Sequence, residues 1–398
     1  MKYPAFVAEN PRLALYAFLA IATSGFGQTF FVSVFGAGIR AEFALSNSSY
    51  GLYYGLATLG SALTLLKLGE VADRWDLWRV TLLAILLLAT GCLLLGLAPG
   101  WGGLLPGFYL LRLGGQAMLS HLGMTVAGRY FGRSRGRIMA LTAAGFPVAE
   151  ASLPALAGLL LINYGWRLPW FIAAATVIFL ALPLLLVLAR SAVHPQALVQ
   201  DQDSVEGSQM TRGQMLRDPG FYLVLPATLV TPFVITALLF HQVSIAALQG
   251  WSLVTVSQAF IGFALGHFAS LFLAGPLIDR WSARRSLPVA LLPLIAGLLV
   301  LGFSNASWTP YLYLSLIGGT LGVINTAAGA FWPERYGVRH VGAIRSVSQA
   351  AMVFSTAVAP LILGLLLDAG FSAASIGLLM AVLVGSCALL ALMVRPLR

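Results

Sequence analysis

Charged residues are scarce in this chain of 398 residues. Only 9% of the sequence is Asp, Glu, Lys or Arg, whereas 59% is hydrophobic and the mean hydropathy is +0.89. A soluble protein of this size could not bury so much apolar surface in one core. Long apolar runs are instead typical of helices that cross a hydrocarbon layer of about 30 Å. Because the runs lack the alternation of membrane β-strands, the composition predicts an all-α, multi-pass membrane protein.

Cysteine is nearly absent as well. Cys92 and Cys387 are the two cysteines and both fall in apolar runs, so we expect no disulfide framework. The sequence has no His/Cys cluster at metal-ligand spacing and no phosphate-binding Gly-x-x-x-x-Gly-Lys-Ser/Thr loop. We therefore expect no metal, no cofactor and no direct use of ATP. Without a nucleophile or metal constellation, we do not expect an enzyme.

Glycine, proline, asparagine and charge clusters divide the apolar sequence into twelve predicted spans. In chain order the spans are 13–39, 49–72, 78–98, 103–130, 137–162, 168–190, 220–247, 252–277, 286–303, 308–331, 341–367 and 372–394. The longest polar segment, 191–219, separates the sixth span from the seventh and has the composition of a linker. We therefore predict domains at 1–190 and 220–398 with a cytoplasmic linker between them.

The basic residues indicate the orientation. Nineteen of the 23 lysines and arginines fall at span ends that share one side of the membrane, against Arg40 and Arg167 on the other. This asymmetry places both termini in the cytoplasm. The basic residues that give the chain its net charge of +10 would then face anionic lipid headgroups. We therefore expect the lipid bilayer, and no nucleic acid, as a partner. Compact loops favour a bacterial inner membrane.

A short charged motif occurs twice. Residues 69–75 read GEVADRW and residues 275–281 read GPLIDRW, at an offset of 206. The same offset relates a second group of four matching residues, in which Arg129, Tyr130, Arg133 and Gly136 correspond to Arg335, Tyr336, Arg339 and Gly342. Two matches at one offset predict a duplicated six-helix unit with parallel halves.

The repeated Gly-x-x-x-Asp-Arg loop, after the second and eighth spans, resembles the signature loop of the major facilitator superfamily. The resemblance implies two pseudo-symmetric six-helix bundles that alternate around a central cavity, and a molecule that works as a monomer. FYLVLPATLVTPFVITALLFHQVSIAALQGWS in span seven and NYGWRLPWF (163–171) are similar to the oxalate/formate antiporter and monocarboxylate transporter branch. Members of that branch carry a basic residue in helix 8, at the position that Leu271 occupies here.

The motif loops are expected to form a conformational latch. Asp73 would lie opposite the N-terminus of the eleventh helix, where a carboxylate interacts favourably with the helix dipole, and Asp279 would do the same against the fifth helix. These contacts would exist only while the cytoplasmic side is closed; the alternative is that the residues merely fix the turn and the topology. The residues assigned to the latch are Gly69, Asp73, Arg74, Arg129, Arg133, Gly275, Asp279, Arg280, Arg335 and Arg339.

Two charged residues fall inside apolar spans in a way that indicates function. Glu150 lies near the middle of the fifth span, where an ionised carboxylate is costly, so we expect it to carry a proton or a partner. Arg112 in the fourth span keeps its charge and needs an anion or a carbonyl group. The two could reach each other, and Gln116 would share the environment of Arg112. Structural hydrogen bonding is the alternative for both.

Other intramembrane polar residues are weaker candidates. His121, His241 and His267 could titrate near neutral pH, or could simply join neighbouring helices by hydrogen bonds. In SGFGQT (24–29) the small residues permit local unwinding of the first span around Gln28, and exposed backbone groups there could contact the substrate; helix packing alone is the alternative explanation for the glycines. Asn325 in the tenth span is a weaker candidate for contact with the substrate.

These features predict a secondary active transporter for a small organic solute, driven by protons or by a counter-substrate. Arg112 and the branch resemblance favour an organic anion. The alternative is a proton-coupled antiporter that exports cationic or lipophilic compounds, with Glu150 as the shared site, because the basic residue expected at Leu271 is missing. A membrane enzyme and a receptor are the other classes, and flux in liposomes would separate them from a transporter.

Overall fold

The structure, a computed structural model, describes residues 10–131, 135–192, 210–337 and 340–395, with the backbone only at 69–74, 135, 136, 341 and 342. Within these ranges the chain is helical and contains no strand. It divides into two compact units, Met1–Asp201 and Gln202–Arg398. The outcome agrees with the all-α class that the composition predicted.

Unit 1 consists of helices of very different lengths. Its α-helices are α1 (Pro11–Ser24), α2 (Thr29–Val32), α3 (Gly36–Phe43), α4 (Asn47–Arg74), α5 (Leu77–Leu97), α6 (Leu104–Leu111), α7 (Ser120–Arg129), α8 (Arg135–Ala143), α9 (Gly145–Tyr164), α10 (Leu168–Thr176) and α11 (Leu182–Ala189). Short 3₁₀ segments occur at Gly25–Gly27, Ser33–Phe35 and Trp101–Gly103, and π-helical segments at Arg112–Leu119 and Val177–Ala181.

Unit 2 has longer uninterrupted helices. They are α12 (Arg212–Met215), α13 (Pro219–Phe240), α14 (Gln242–Gln249), α15 (Leu253–Ala290), α16 (Leu292–Phe303), α17 (Thr309–Tyr336), α18 (Val341–Asp368) and α19 (Ala373–Leu392). Within α15, Ser282 has φ 69° and ψ 155°, which breaks the helix in two. The break follows directly after the second copy of the charged motif.

Nine helical segments among the described residues are long and apolar enough to cross a membrane. The segments predicted as the second and fourth spans are not among the nine. The predicted eighth and ninth spans fall together in Leu253–Phe303. At 1.5 Å per residue those 51 residues would extend about 75 Å as one helix, more than twice the hydrocarbon thickness, and Ser282 interrupts them. A multi-pass helical protein is therefore established, and the number twelve stays a prediction.

The internal repeat is visible in the backbone. Phe35 (φ −91°, ψ −6°) and His241 (φ −97°, ψ 19°), 206 positions apart, each interrupt the first long helix of a unit. An eight-residue helix follows in both units, α3 and α14. Both helices end in a left-handed cap, at Ala44 (φ 51°) in unit 1 and Gly250 (φ 71°) in unit 2. The two halves thus share a local conformation as well as a motif.

Equivalent helix ends are capped by different side chains in the two units. The Arg167 guanidinium donates to the carbonyl oxygens of Gly96 (2.9 Å) and Ala98 (2.8 Å) at the end of α5, and it pairs with Glu42. The Gln249 amide donates to Leu301 (2.8 Å) and Ser304 (3.2 Å) at the end of α16. Because terminal carbonyls lack intrahelical partners, these bonds fasten loops to helix ends. Arg167, which lies in NYGWRLPWF (163–171), therefore has a structural role at the end of α5.

Candidate functional site

The first long helix of unit 1 is broken at the predicted place. Gly25–Gly27 forms a 3₁₀ turn and Gln28 is extended, with φ −88° and ψ 157°. The α-helical hydrogen bonds therefore stop after Ser24 and resume at Thr29. The unwinding predicted from SGFGQT is confirmed, and it frees main-chain groups for contacts outside the helix.

Glycine allows this break to touch the π-helical segment Arg112–Leu119. A Cβ added at Gly27 would lie 2.6 Å from the carbonyl oxygen of Leu111 and 2.8 Å from Cα of Gly115. A Cβ at Gly115 would lie 2.8 Å from Cα of Gly27. Neither position has room for a side chain, so the two backbones are in direct contact. π-Helical segments are rare and frequently occur at functional sites.

Arg112 opens the π-helical segment and points into this contact. Its side chain is 1% exposed, its Nη1 donates to the Gly27 carbonyl oxygen at 3.1 Å, and its guanidinium lies 4.9 Å from the centre of the Tyr54 ring. Its Nε is buried and meets no hydrogen-bond acceptor among the described residues. A guanidinium has five N–H donors, so this cation is held by one carbonyl group and one aromatic face.

A chain of polar side chains begins beside Arg112. Gln28 donates to the Ser120 hydroxyl (3.4 Å), Ser120 donates to Ser24 (3.0 Å), and Ser24 donates to the Ile21 carbonyl oxygen (2.7 Å). Gln28 directly follows the glycine that binds Arg112, and it is half-buried. Gln116 is also half-buried, and its backbone nitrogen would lie 2.9 Å from a Cβ on Gly27. The predicted residues Arg112, Gln28 and Gln116 therefore meet at one site.

Glu150 approaches the same break from another helix. It lies in α9 and is 4% exposed. A Cβ added at Gly25 would lie 2.6 Å from Cβ of Ala149, the residue before Glu150. The break is thus flanked by α9 at Gly25 and by the π-helical segment at Gly27. The possible Arg112–Glu150 ion pair is not formed, because the guanidinium turns to the Gly27 carbonyl and to Tyr54.

Unit 2 has a buried polar group at its own helix break. His241 is 1% exposed, and its Nε2 donates to the Pro360 carbonyl oxygen at 2.7 Å. Gln242 is fully buried and accepts a hydrogen bond from the Tyr313 hydroxyl, while its Nε2 has no acceptor among the described residues. The Tyr313 ring stacks on Trp251 with centroids 6.0 Å apart. His241 joins two helices here, which was the structural alternative for this residue.

The remaining intramembrane candidates are not gathered at these breaks. His121 is exposed and lies 3.4 Å from the Thr125 hydroxyl. His267 is buried in α15, where its ring packs edge-on against Phe263. Asn325 is exposed on α17. Each stays a candidate without a site built around it in the described part of the chain.

Several latch residues fall outside the described parts. Arg133 and Arg339 lie outside the described residues, and the side chains of Asp73 and Arg74 are not described, nor are the surroundings of Gly69. Among the others, Arg129 is half-buried, and Asp279 and Arg280 are exposed. Glycine at this kind of position is expected to allow close helix packing, but Gly275 does not serve that purpose here, because an added Cβ would meet nothing within 4 Å.

Arg335, which was assigned to the latch, binds a residue outside that set. Its guanidinium binds Asp218, with Nε–Oδ2 at 2.7 Å and Nη2–Oδ1 at 3.1 Å, and donates from Nη1 to the Arg395 carbonyl oxygen at 2.8 Å. Tyr336 also donates to Asp218, at 2.7 Å. Sequence reasoning missed this cluster because 117 positions separate Asp218 from Arg335.

The cluster sets the charge state of Asp218. Burial alone would raise the pKa of this carboxyl group, but hydrogen bonds from Arg335, Tyr336 and the backbone N–H of Gly220 outweigh burial and hold the pKa below its ordinary value. The carboxylate therefore stays ionised at neutral pH. It ties the start of α13 to the end of α17 within unit 2.

Known proteins resemble this chain in sequence profile and in fold. The family profile described as Major Facilitator Superfamily matches residues 17–260 and 224–398. A crystal structure of a bacterial homolog of the human lysosomal transporter Spinster, inward-facing and unoccupied, is similar with a TM-score of 0.66 and 16% identity, over 98% of this chain and 95% of that one. Its inward-facing, occupied form has a TM-score of 0.65 at 17% identity and the same coverage. No curated protein sequence matches the chain.

Proposed function

The chain belongs to the major facilitator superfamily, since the family profile matches it from residue 17 to its last residue, and we propose that it moves a small organic anion by alternating access. It is a membrane transporter rather than an enzyme. The family likeness supports the major facilitator fold but does not identify the substrate. The proposed substrate class rests on the residues of the candidate site and not on the resemblance to the oxalate/formate and monocarboxylate branch.

The observation that carries the proposal is the environment of Arg112. Its side chain is buried, keeps its charge, and has one carbonyl oxygen and one aromatic ring as described partners. A buried donor without an acceptor costs about 1–3 kcal/mol, and more when the group is charged. A carboxylate that reached Nε and the remaining N–H groups could accept two parallel hydrogen bonds. An organic anion would thus supply acceptors that the Arg112 N–H groups lack among the described residues.

The surroundings add selectivity for a small ligand. Gln28, which follows Gly27 at the helix break, offers an uncharged donor and acceptor, and Tyr54 offers an aromatic face to the guanidinium. The break at Gly25–Gln28 brings main-chain groups into the same place. A charged group surrounded by a few fixed polar groups is typical of small-molecule sites.

Coupling to protons is assigned to Glu150. Glu150 is buried in α9, the helix whose Ala149 packs against the break at Gly25. Protonation would remove its repulsion of an incoming anion, so proton and anion would load together. Exchange against a counter-substrate remains the other form of the proposal, in which Glu150 stays in one protonation state.

Thermal unfolding in detergent tests the substrate class. Formate, lactate and oxalate, the zwitterion betaine, and tetraphenylphosphonium as a lipophilic cation would each be added at two pH values. A ligand at a hundred times its Kd should add about 2.7 kcal/mol of stability. We expect a carboxylate to stabilise the protein, and Arg112→Gln to abolish the shift.

The matched control is Arg79→Gln. Arg79 is exposed and pairs with Asp76 one helical turn away, at 3.5 Å. Its loss should leave the carboxylate shift unchanged. If Arg79→Gln reduced the shift as much as Arg112→Gln, the effect would come from net charge, and the proposal would fail.

Glu150 favours a second candidate function. A buried carboxyl group inside an apolar helix could bind either a proton or an organic cation. The protein would then be a proton-coupled antiporter that exports cationic or lipophilic compounds. In that case only tetraphenylphosphonium should stabilise it, and Glu150→Gln should abolish that shift while Arg112→Gln leaves it intact.

The cellular setting belongs to the same proposal. We assign the chain to the cell inner membrane with both termini in the cytoplasm, on the asymmetry of its arginines. We also propose that it acts as a monomer. Labelling of single cysteines introduced near the two termini, in intact and in opened cells, would test the orientation.

A further inference from the structure

Unit 2 carries an apolar groove apart from the helix breaks. It has a volume of about 390 Å³ and lies between residues 288–295, where α15 passes into α16, and residues 385–392 of α19. All eight lining residues are apolar or glycine, and Leu292, Leu389 and Leu392 are exposed along it. The groove follows α19 from Gly385 to Leu392, about 10 Å of helix rise. Its shape and lining suit a hydrocarbon chain.

Gly385 opens the groove. A Cβ added there would meet nothing within 4 Å, so the missing side chain leaves open space rather than a close helix contact. Gly165 and Gly370 both have positive φ, at 73° and 77°, and align the last helices of the two units at an offset of 205. At that offset Leu180 stands in unit 1 where Gly385 stands in unit 2.

Arginines gather at one end of the groove. Arg284 donates from Nη1 to the Val394 carbonyl oxygen at 2.7 Å, just beyond the end of α19. Arg285 lies one helical turn before the groove residue Pro288, and Arg395 lies three residues after Leu392, and both are exposed. The two walls of the groove therefore each end in a cation.

Among the residues that the structure describes, few carboxylates offset these arginines. Asp218 is already bound to Arg335, and Glu334 accepts from the backbone N–H of Ala283 at 2.9 Å. Asp279 is next to Arg280, and both are exposed. The surplus of positive charge at this end is carried by Arg284, Arg285 and Arg395. Trp281, also exposed, is of the type enriched at the membrane–water boundary.

We propose that this groove binds one anionic phospholipid of the bilayer. An acyl chain lies along the apolar walls past Gly385, and the phosphate group lies at Arg284, Arg285 and Arg395. Arginine suits this role because its planar fork matches phosphate oxygens. Basic pockets between membrane helices bind anionic headgroups in this way. The site is separate from Arg112 and independent of what the protein carries.

Native mass spectrometry of the detergent-purified full chain tests the proposal. The protein would be titrated with dioleoylphosphatidylglycerol or with dioleoylphosphatidylcholine. We expect one phosphatidylglycerol to be retained with about tenfold preference. Gly385→Leu places in the groove the side chain that unit 1 carries at Leu180, and it should reduce this retention about tenfold. The open space at Gly385 predicts that the variant folds, which its unfolding temperature checks.

Charge variants give a second, independent readout. Arg285→Gln and Arg395→Gln should each lower the preference for phosphatidylglycerol over phosphatidylcholine about fivefold, the effect of about one basic residue at an anionic surface. Arg79→Gln, at the equivalent position of unit 1 to Arg285, should leave it unchanged. Equal retention of the two lipids by the wild-type protein, or a preference that neither arginine variant alters, would overturn the proposal.

Discussion

Arg112 is held in a way that leaves most of its hydrogen-bonding capacity unused. One Nη1 bond to Gly27 and contact with the Tyr54 ring fix the plane of the guanidinium. A fixed plane is what two-point recognition of a carboxylate requires. Lysine would place the charge nearby but would not offer two parallel donors.

Arg112→Lys therefore keeps the positive charge but removes the planar guanidinium group. We expect a variant that still prefers anions over cations but binds the best carboxylate about 10–100-fold more weakly, as the loss of a charged hydrogen bond of about 1.5–3 kcal/mol implies. Ligand-dependent unfolding temperatures over a concentration series would give the two Kd values. Wild-type affinity in Arg112→Lys would mean that the two parallel donors of the guanidinium do not contribute to carboxylate binding.

Ala44 adopts a conformation that suits glycine. It caps α3 with φ 51°, whereas Gly250 caps α14 in the equivalent place. A left-handed residue with a side chain costs about 1–2 kcal/mol. Ala44→Gly should therefore stabilise the protein by about 0.5–1 kcal/mol, and Gly250→Ala should destabilise it by about 1–2 kcal/mol. Unfolding temperatures of both variants check the prediction, and shifts of the same sign would contradict it.

At the scale of the elements, the contact between the helix break and the π-helical segment positions Arg112. Gly115→Ala would push Cβ to within 2.8 Å of Cα of Gly27. We expect it to destabilise the protein by about 1–3 kcal/mol and to weaken anion binding, because the Gly27 carbonyl must move. The unfolding temperature with and without oxalate measures both effects.

Gly319→Ala is the matched control for Gly115→Ala. Gly319 lies inside α17, and an added Cβ would meet nothing within 4 Å. Alanine there should stabilise the helix by about 0.5–1 kcal/mol and leave ligand binding unchanged. If both alanine variants behaved alike, the close approach at Gly27 would not matter for the site.

The Asp218–Arg335 cluster predicts an acid-sensitive connection between α13 and α17. Because the pKa of Asp218 is lowered by folding, the ion pair contributes its full stability above the unfolded value of about 3.9. That contribution is lost as the pH falls through the lower, folded pKa. Asp218→Asn should therefore reduce stability at pH 7 by about 1–3 kcal/mol and flatten the decline in stability below about pH 4.

Unfolding measured across that pH range tests the role of Asp218. Asp76→Asn is a suitable control, since Asp76 pairs with exposed Arg79 at 3.5 Å and such surface pairs contribute about 0–1 kcal/mol. An Asp218→Asn protein that lost stability toward acid as steeply as the wild type would show that other carboxyl groups control the acid response.

The sequence predicted those elements whose signal is local. SGFGQT predicted the break at Gly25–Gln28, and the repeat at offset 206 reappears as the paired breaks at Phe35 and His241. The π-helical segment at Arg112 has no comparable signal, because apolar and small residues there fit an α-helix equally well. The Tyr54 contact and the Asp218–Arg335 pair join distant parts of the chain. A single sequence does not show which distant residues come into contact.

At the scale of the whole molecule, membership of a transporter superfamily and the buried cation Arg112 together support the proposal of an organic-anion transporter. The family gives a membrane transporter, and the proposed substrate class depends on Arg112. The lipid groove adds a second binding site on unit 2 that should respond to neither Arg112 nor Glu150. A change in lipid retention in Arg112→Gln would therefore indicate that the two sites are not independent.

Counterflow in liposomes tests the central claim most directly. Vesicles containing the purified protein would be loaded with unlabelled carboxylate and diluted into radiolabelled oxalate, formate or lactate. The account predicts transient accumulation of at least one label by the wild type and by Arg79→Gln, and none by Arg112→Gln, with equal protein incorporation. Accumulation that persisted in Arg112→Gln, or label movement seen with tetraphenylphosphonium alone, would contradict it.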